Sequence, residues 1–324
     1  MDITVVNLNP CIDWQWTTPA FVYGGLNRAQ GGLRYASGKG INVCVALKNL
    51  GLNPLCTGFN YTENGAFITS ALDAHGVRHD FITVDGAVRV NIKLYDTAEG
   101  TMTELNQPGA LVPEEAVIAF INKIKAAASG LADDKNRQTL INSGLLVLSG
   151  SMPAGVPLDI YKQLCTAWPG PVILDAEGEA LKTALSSDKP PYCIKPNHYE
   201  LESSFGVKLT TKEDIAVFCR ELIKSYGITM ICVSMGAEGA VLITEPAAYY
   251  VPALELTVRG VQGAGDSMVA GLAYGLTQNM PAPELLRMAS AAAAASVIRE
   301  GTLMCTGEDF ARFLSAMPAP QLIR

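Results

Sequence analysis

Gly263-Ala264-Gly265-Asp266-Ser267 stands directly before an apolar stretch with helical spacing. Small residues let a backbone approach a ligand closely, and a helix N-terminus offers free N–H groups with partial positive charge. The string suits an anion cradle, with the Asp266 carboxylate beside the place a transferring phosphoryl group would occupy. It reads equally as a glycine turn whose acid complements the helix dipole. A second helix start carries Ser37-Gly38-Lys39-Gly40-Ile41-Asn42. It is not a Walker A loop, because five residues separate Gly32 from Gly38 and a glycine follows Lys39. Nor does a GxGxxG dinucleotide fingerprint follow the first strand. What remains is a lysine and an asparagine at a helix N-terminus, or a flexible turn with a solvated lysine.

Two further segments join these. In Lys195-Pro196-Asn197-His198-Tyr199-Glu200, Pro196 ends a strand and Asn197 and Glu200 lie one helical turn apart. Both can face the C-terminal edge of a sheet, where doubly wound folds bind ligands; alternatively they form a capping box. Ser234-Met235-Gly236-Ala237-Glu238-Gly239 reads as a tight glycine turn between strands, a common hairpin feature.

The elements that must position these residues follow from apolar patterning. Residues 3–8 are β-branched and apolar on both parities, as in a strand covered on both faces. Residues 11–37 are mixed in polarity and predict short strands and turns outside the core. Val43, Leu47 and Leu50 recur at helical spacing over 38–51, with Gly51 as the C-terminal cap. Strands at 55–59 and near Phe81, a helix at 64–74 and a half-exposed strand at 89–95 come next. Apolar strands at 145–148, 172–174, 192–194 and 230–233 are separated by helices, including 114–128 and 212–225. The C-terminal third is predicted helical, at 264–276, 283–299 and 308–314. Residues 129–143 read as a loop too short to divide domains. This alternation predicts an α/β fold with a doubly wound, mostly parallel sheet and helices on both faces. The expected organisation is one domain over 1–324, with a small β appendage built from about 11–37 and 88–107.

Composition narrows the function. Of 324 residues, 49% are hydrophobic, enough for a large core, and the net charge is −7. An acidic chain gains no counterion-release energy on nucleic acid, so none is expected as partner. No membrane segment or signal peptide is read, and the expectation is a soluble, cytoplasmic protein. The eight cysteines lack any CxxC pair and read as reduced core thiols rather than disulfides or metal ligands.

Taken together, the four segments resemble the PfkB (ribokinase-like) carbohydrate kinases along nearly the whole chain. Asn9-Pro10-Cys11-Ile12-Asp13 resembles the NPxxD opening of the branch containing 1-phosphofructokinases and tagatose-6-phosphate kinases. Asn27-Arg28, Arg89-Val90-Asn91, Glu104-Leu105-Asn106-Gln107-Pro108-Gly109 and Ser149-Gly150-Ser151-Met152-Pro153 resemble that branch too. The resemblance implies a ribokinase-like fold with a β lid, and ATP-dependent phosphorylation of a ketohexose monophosphate, with fructose 1-phosphate ahead of tagatose 6-phosphate. Kinases of unphosphorylated sugars and a non-catalytic sugar-phosphate sensor are the other readings. It implies Asp13 and Asn42 on sugar hydroxyls, with Gly38, Asn91 and Ser151 also on the substrate. Arg28, Lys39 and Arg89 would hold its phosphate, a use to which guanidinium is well matched. Lys195, Asn197, Ser234, Gly236 and Gly239 would meet the nucleotide, and Glu200 would organise Mg²⁺ through water. Gly263, Ala264 and Gly265 would form the anion hole, and Asp266 would be the base. A homodimer is implied. Departures are Ser37 for glycine, Phe59-Asn60-Tyr61-Thr62 for a glycine-rich stretch, Asp175-Ala176-Glu177-Gly178 for DxSG, and Gly260-Val261-Gln262 before the anion hole, which argues against K⁺ activation.

Overall fold

The computed structural model describes residues 2–132 and 144–323. The first strand, β1 (Ile3–Asn7), is buried at every position, as its doubly apolar pattern requires. Then come β2 (Cys11–Thr18), β3 (Gln30–Ser37), α1 (Lys39–Asn49), β4 (Leu55–Glu63), α2 (Gly65–Ala74), β5 (Arg78–Ala87), β6 (Arg89–Asp96) and β7 (Thr101–Asn106). The middle of the chain forms α3 (Glu114–Ala132), β8 (Leu145–Ser149), α4 (Ile160–Ala167), β9 (Val172–Asp175), α5 (Gly178–Leu185), β10 (Cys193–Ile194), α6 (His198–Phe205), α7 (Lys212–Tyr226) and β11 (Met230–Ser234). The remainder forms β12 (Ala240–Thr244), β13 (Ala248–Val251), α8 (Ala264–Thr277), α9 (Ala282–Val297), α10 (Gly307–Ala316) and β14 (Gln321–Ile323).

Ten strands make one sheet in the order β14-β13-β12-β11-β10-β9-β8-β1-β4-β5. Pairing is parallel from β5 through β11 and antiparallel from β11 to β14. The helices expected at 264–276, 283–299 and 308–314 are α8, α9 and α10, and the glycine turn at 234–239 joins β11 to β12 as read; the antiparallel edge goes beyond these through β13 and β14. Those two strands are only three or four residues long, so they show too little periodicity to stand out. Four strands form a separate small sheet in the order β3-β2-β6-β7, from the segments expected outside the core. Of the loop predicted over 129–143, residues 129–132 are the last turn of α3 and 133–143 lie outside the described residues. All eight cysteines are buried and free.

Strand order reverses at β1, which has β4 on one side and β8 on the other. In open α/β sheets such a reversal leaves a crevice at the carboxyl ends of the strands. Asn7, at the end of β1, anchors the next helix: its Oδ1 accepts from the Gly40 N–H at 3.1 Å. Beside it, Gly58 of β4 has φ 138°, and a Cβ there would lie 1.9 Å from the Asn7 carbonyl oxygen. Only glycine permits this approach.

Gly58→Ala is therefore expected to cost about 3 kcal/mol or more, from backbone strain plus a clash that pushes on β1. Urea unfolding against the unsubstituted protein measures it; a loss under about 1 kcal/mol would mean the β1–β4 contact yields.

Candidate active site

Helices α1 and α8 bring their N-termini to the crevice. The N-cap of α8 is Gly263, in the left-handed region at φ 75°, and no side chain caps it. A Cβ at Gly263 would strike the end of the Met304 side chain at 2.2 Å. Among the described residues the N–H groups of Gly265 and Asp266 meet no protein acceptor, leaving two donors of the first turn free. The position a Cβ would take on Gly265 is 3.6 Å from the Lys195 ammonium, so a cation borders the same cradle.

Asp266 is buried, and Asn42 Nδ2 donates to its Oδ2 at 2.8 Å. Burial first, and the charge of Asp175 second, push its carboxyl up to about 6, against the Asn42 hydrogen bond and the nearby Lys39 and Lys195 charges. A carboxyl poised there suits a proton acceptor near neutral pH.

Asp175, at the C-terminal end of β9, is the centre of the charge cluster. Lys39 and Lys195 each lie 3.3 Å from its carboxylate, and Ser149 Oγ donates to it at 3.1 Å. Burial would raise its carboxyl, but Lys195 and then Lys39 overcome this and hold it near 2. The Asp175 charge in turn raises Lys39 above the ordinary lysine range.

A second cluster sits on the small sheet. β2 and β6 run parallel with Asp13 opposite Asn91, and alternation puts Arg89, Asn91 and Lys93 on one face. Lys93 Nζ pairs with Asp13 Oδ2 at 2.9 Å and Asn91 Nδ2 donates to Oδ1 at 3.0 Å, all three being buried. Arg89 donates to the carbonyls of Gln107 at 3.0 Å and Asn9 at 3.3 Å, while its buried Nε has no partner. Beside it lies a cavity of about 210 Å³ lined by Arg89 and residues 107–110, among others. Ser151 accepts from Asn9 Nδ2 at 3.1 Å, across the strand-order reversal.

The Asn197–Glu200 spacing forms a full capping box: each side chain accepts from the other's backbone N–H at 2.8 Å. Ser234 N–H donates to the Pro196 carbonyl, so the glycine turn at 236–239 adjoins that helix start. Among the described residues no three His, Cys, Asp or Glu side chains cluster as metal ligands. Glu200 uses its Oε2 in the capping box, and its Oε1 is left available as an oxygen donor to a hard cation. Arg28 stands apart from the other predicted residues. It is exposed in the segment joining β2 to β3, and among the described residues it has no hydrogen bond or ion pair. Neighbouring Phe21, Val22, Tyr23 and Leu26 are exposed too, and the Phe21 N–H donates to the Asp96 carboxylate of β6 at 2.8 Å.

Residues 3–308 match the model of the pfkB family carbohydrate kinases. The chain belongs to the pfkB family of carbohydrate kinases. The 1-phosphofructokinase of Bacillus subtilis is 32% identical, over 92% of this chain and 93% of its own. That of Rhodobacter capsulatus is 34% identical, over 89% and 88%. Among solved structures, phosphofructokinase-2 from Escherichia coli in complex with substrates and products matches with a TM-score of 0.89 at 26% identity, over 98% of this chain and 99% of that one.

In this pfkB kinase, sequence reasoning passed over Asp175 and Lys93. Asp175 was visible only as a departure from DxSG, although an acid closing a buried strand at the ligand edge of the sheet was a usable signal. Lys93 carried no signal, because an alternating half-exposed strand gives no hint that one lysine is buried on a carboxylate.

Replacing Asn42 with alanine removes the hydrogen bond that favours the charged carboxylate, so the Asp266 pKa is expected to rise further. Carbonyl-carbon NMR titration of Asp266 measures this; a titration midpoint unchanged or lowered would remove Asn42 from the control of that group.

Proposed function

We propose that this kinase transfers the γ-phosphoryl group of ATP to the free primary hydroxyl of fructose 1-phosphate, giving fructose 1,6-bisphosphate and ADP. The observation that carries the reading is one buried carboxyl, Asp266, beside two free N–H donors and a lysine at a helix N-terminus. Asp266 takes the proton of the attacking hydroxyl, and Asn42 orients it. The oxygen then bonds to phosphorus as the bond to the β-phosphate oxygen breaks. The Gly265 and Asp266 N–H groups and Lys195 meet the negative charge spread over the transferring oxygens. The Asn197 and Ser234 segments, with Gly236 and Gly239, receive the nucleotide. Magnesium, when bound, would neutralise phosphate charge, and Glu200 would hold it through water.

A phosphorylated sugar is supported by the cations. Arg89 offers an unpaired Nε and borders a cavity, and Lys39 lies at a helix N-terminus. The Asp13–Lys93–Asn91 group faces the sugar hydroxyls. We read the small sheet as a lid over a single kinase domain, excluding water that would otherwise accept the phosphoryl group. Its exposed Ile92 and Leu105 are paired neighbours on one face, which supports a homodimer formed through that sheet.

A panel of sugars and sugar phosphates, followed by ADP release, tests the acceptor; fructose 1-phosphate is expected to turn over fastest. Faster turnover of tagatose 6-phosphate would move the acceptor, and faster turnover of an unphosphorylated sugar would end the phosphate reading. Asp266→Asn is expected to lower kcat roughly 10²–10⁴-fold with sugar-phosphate binding kept. In the unsubstituted protein the kcat should fall as pH drops through about 6, because only the ionised Asp266 accepts a proton. Near-normal kcat in the variant would displace Asp266 as base.

Light scattering on a sizing column should give twice the chain mass, and Ile92→Asp with Leu105→Asp should give one chain mass. A monomer before substitution would remove the lid-paired dimer.

A further inference from the structure

A cavity of about 250 Å³ lies between the end of β3, helices α1 and α2, and residues 299–306. Of the reaction centre only Asn42 lines it; Asp13, Lys39, Arg89, Asp175, Lys195 and Asp266 do not. Its charge is unusual for this chain. In a protein of net charge −7, the lining includes Arg34, Arg299 and His75 and contains no aspartate or glutamate. The Arg34 guanidinium lies 4.2 Å over the Trp14 ring and has no carboxylate partner among the described residues. Arg299 touches Asp309 only at 3.5 Å, and its buried Nε is unpaired. Phe67 and Met304 supply apolar wall.

We propose that this cavity binds a compact organic oxyanion, a phosphate or carboxylate on a small apolar body, as an effector of the kinase. Two arginines match such a group bidentately, and the volume is below that of a drug-sized pocket. The proposal goes beyond the transfer reaction and holds whichever sugar phosphate is the acceptor.

The consequence follows from where the walls come from. Arg34 belongs to the small sheet, whereas Arg299 and His75 belong to the body of the molecule. The two parts are in contact: Gln262 Nε2 donates to Glu104 of β7, and Gly301 sits against Gln15 and Tyr35. The cavity has all its walls only in this docked arrangement. An occupant therefore binds the docked state better and must shift the population towards it. It also rests against Asn42, which holds Asp266, and Met304, which abuts Gly263 and Ser267. Occupancy thus lowers KM for the sugar phosphate by stabilising the closed lid.

Phenyl phosphate and benzoate serve as probes, with benzyl alcohol as the uncharged control. Calorimetry on the full-length enzyme, at saturating levels of the sugar phosphate the panel identifies, should show one phenyl phosphate or benzoate bound per chain and no binding of benzyl alcohol. Arg34→Gln, at an exposed position that does not threaten folding, and Arg299→Gln should each weaken binding about tenfold or more. Steady-state rates should show KM for the sugar phosphate falling about five-fold at saturating probe, and no fall in Arg34→Gln. Displacement of both probes by the sugar phosphate, equal binding to Arg34→Gln, or equal binding of benzyl alcohol would overturn the site. Binding without a fall in KM would overturn the effector role. None of these outcomes depends on which sugar the enzyme accepts.

Discussion

Two lysines and two carboxylates share one poorly solvated place at the carboxyl end of the sheet, and the rest of the site is arranged around how those charges divide. Asp175 takes both Lys39 and Lys195, and Ser149 besides. Asp266 is left with an asparagine amide and with the repulsion of Asp175. The division explains why one buried acid sits far below the usual carboxylate range and its neighbour well above it. In a low-dielectric site, partners rather than residue type decide which acid stays ionised. Asp175 thereby holds both lysines, while the Asp266 carboxyl is left raised.

The arrangement depends on tight backbone packing beneath it. Asn7 ends β1 and ties the start of α1 through the Gly40 N–H, while Gly58 leaves room for the Asn7 carbonyl. On the other side, Gly263 turns the chain into α8 where a side chain would strike Met304. Both helix N-termini are thus held against the strand-order reversal, which sets unpaired N–H groups beside cations.

The small sheet brings a second, chemically different group. Parallel pairing of β2 with β6 sets Asp13 beside Asn91, and Lys93 closes the pair from the same face. Buried ion pairs of this kind add little to stability but fix geometry when each charge is fully partnered. Here that rigidity belongs to a sheet resting against the segment that leads into α8 through Gln262 and Glu104.

Read alone, the chain already determined the doubly wound parallel core, because apolar runs such as Ile3–Asn7 admit only strands covered on both faces. It also determined the glycine-rich helix start at Gly263–Asp266, the helix start at Lys39 and the strand that carries Arg89 and Asn91, since these signals lie within a few consecutive residues. The capping box of Asn197 and Glu200 was equally legible. Only the tertiary structure decided that Asp175 binds Lys39 and Lys195, that Lys93 neutralises Asp13, and that β13 and β14 extend the sheet antiparallel. The physical reason is separation along the chain: Asp175 meets residues from β8, α1 and the end of β10, and electrostatic partnership falls off with distance in space, of which sequence spacing carries no record.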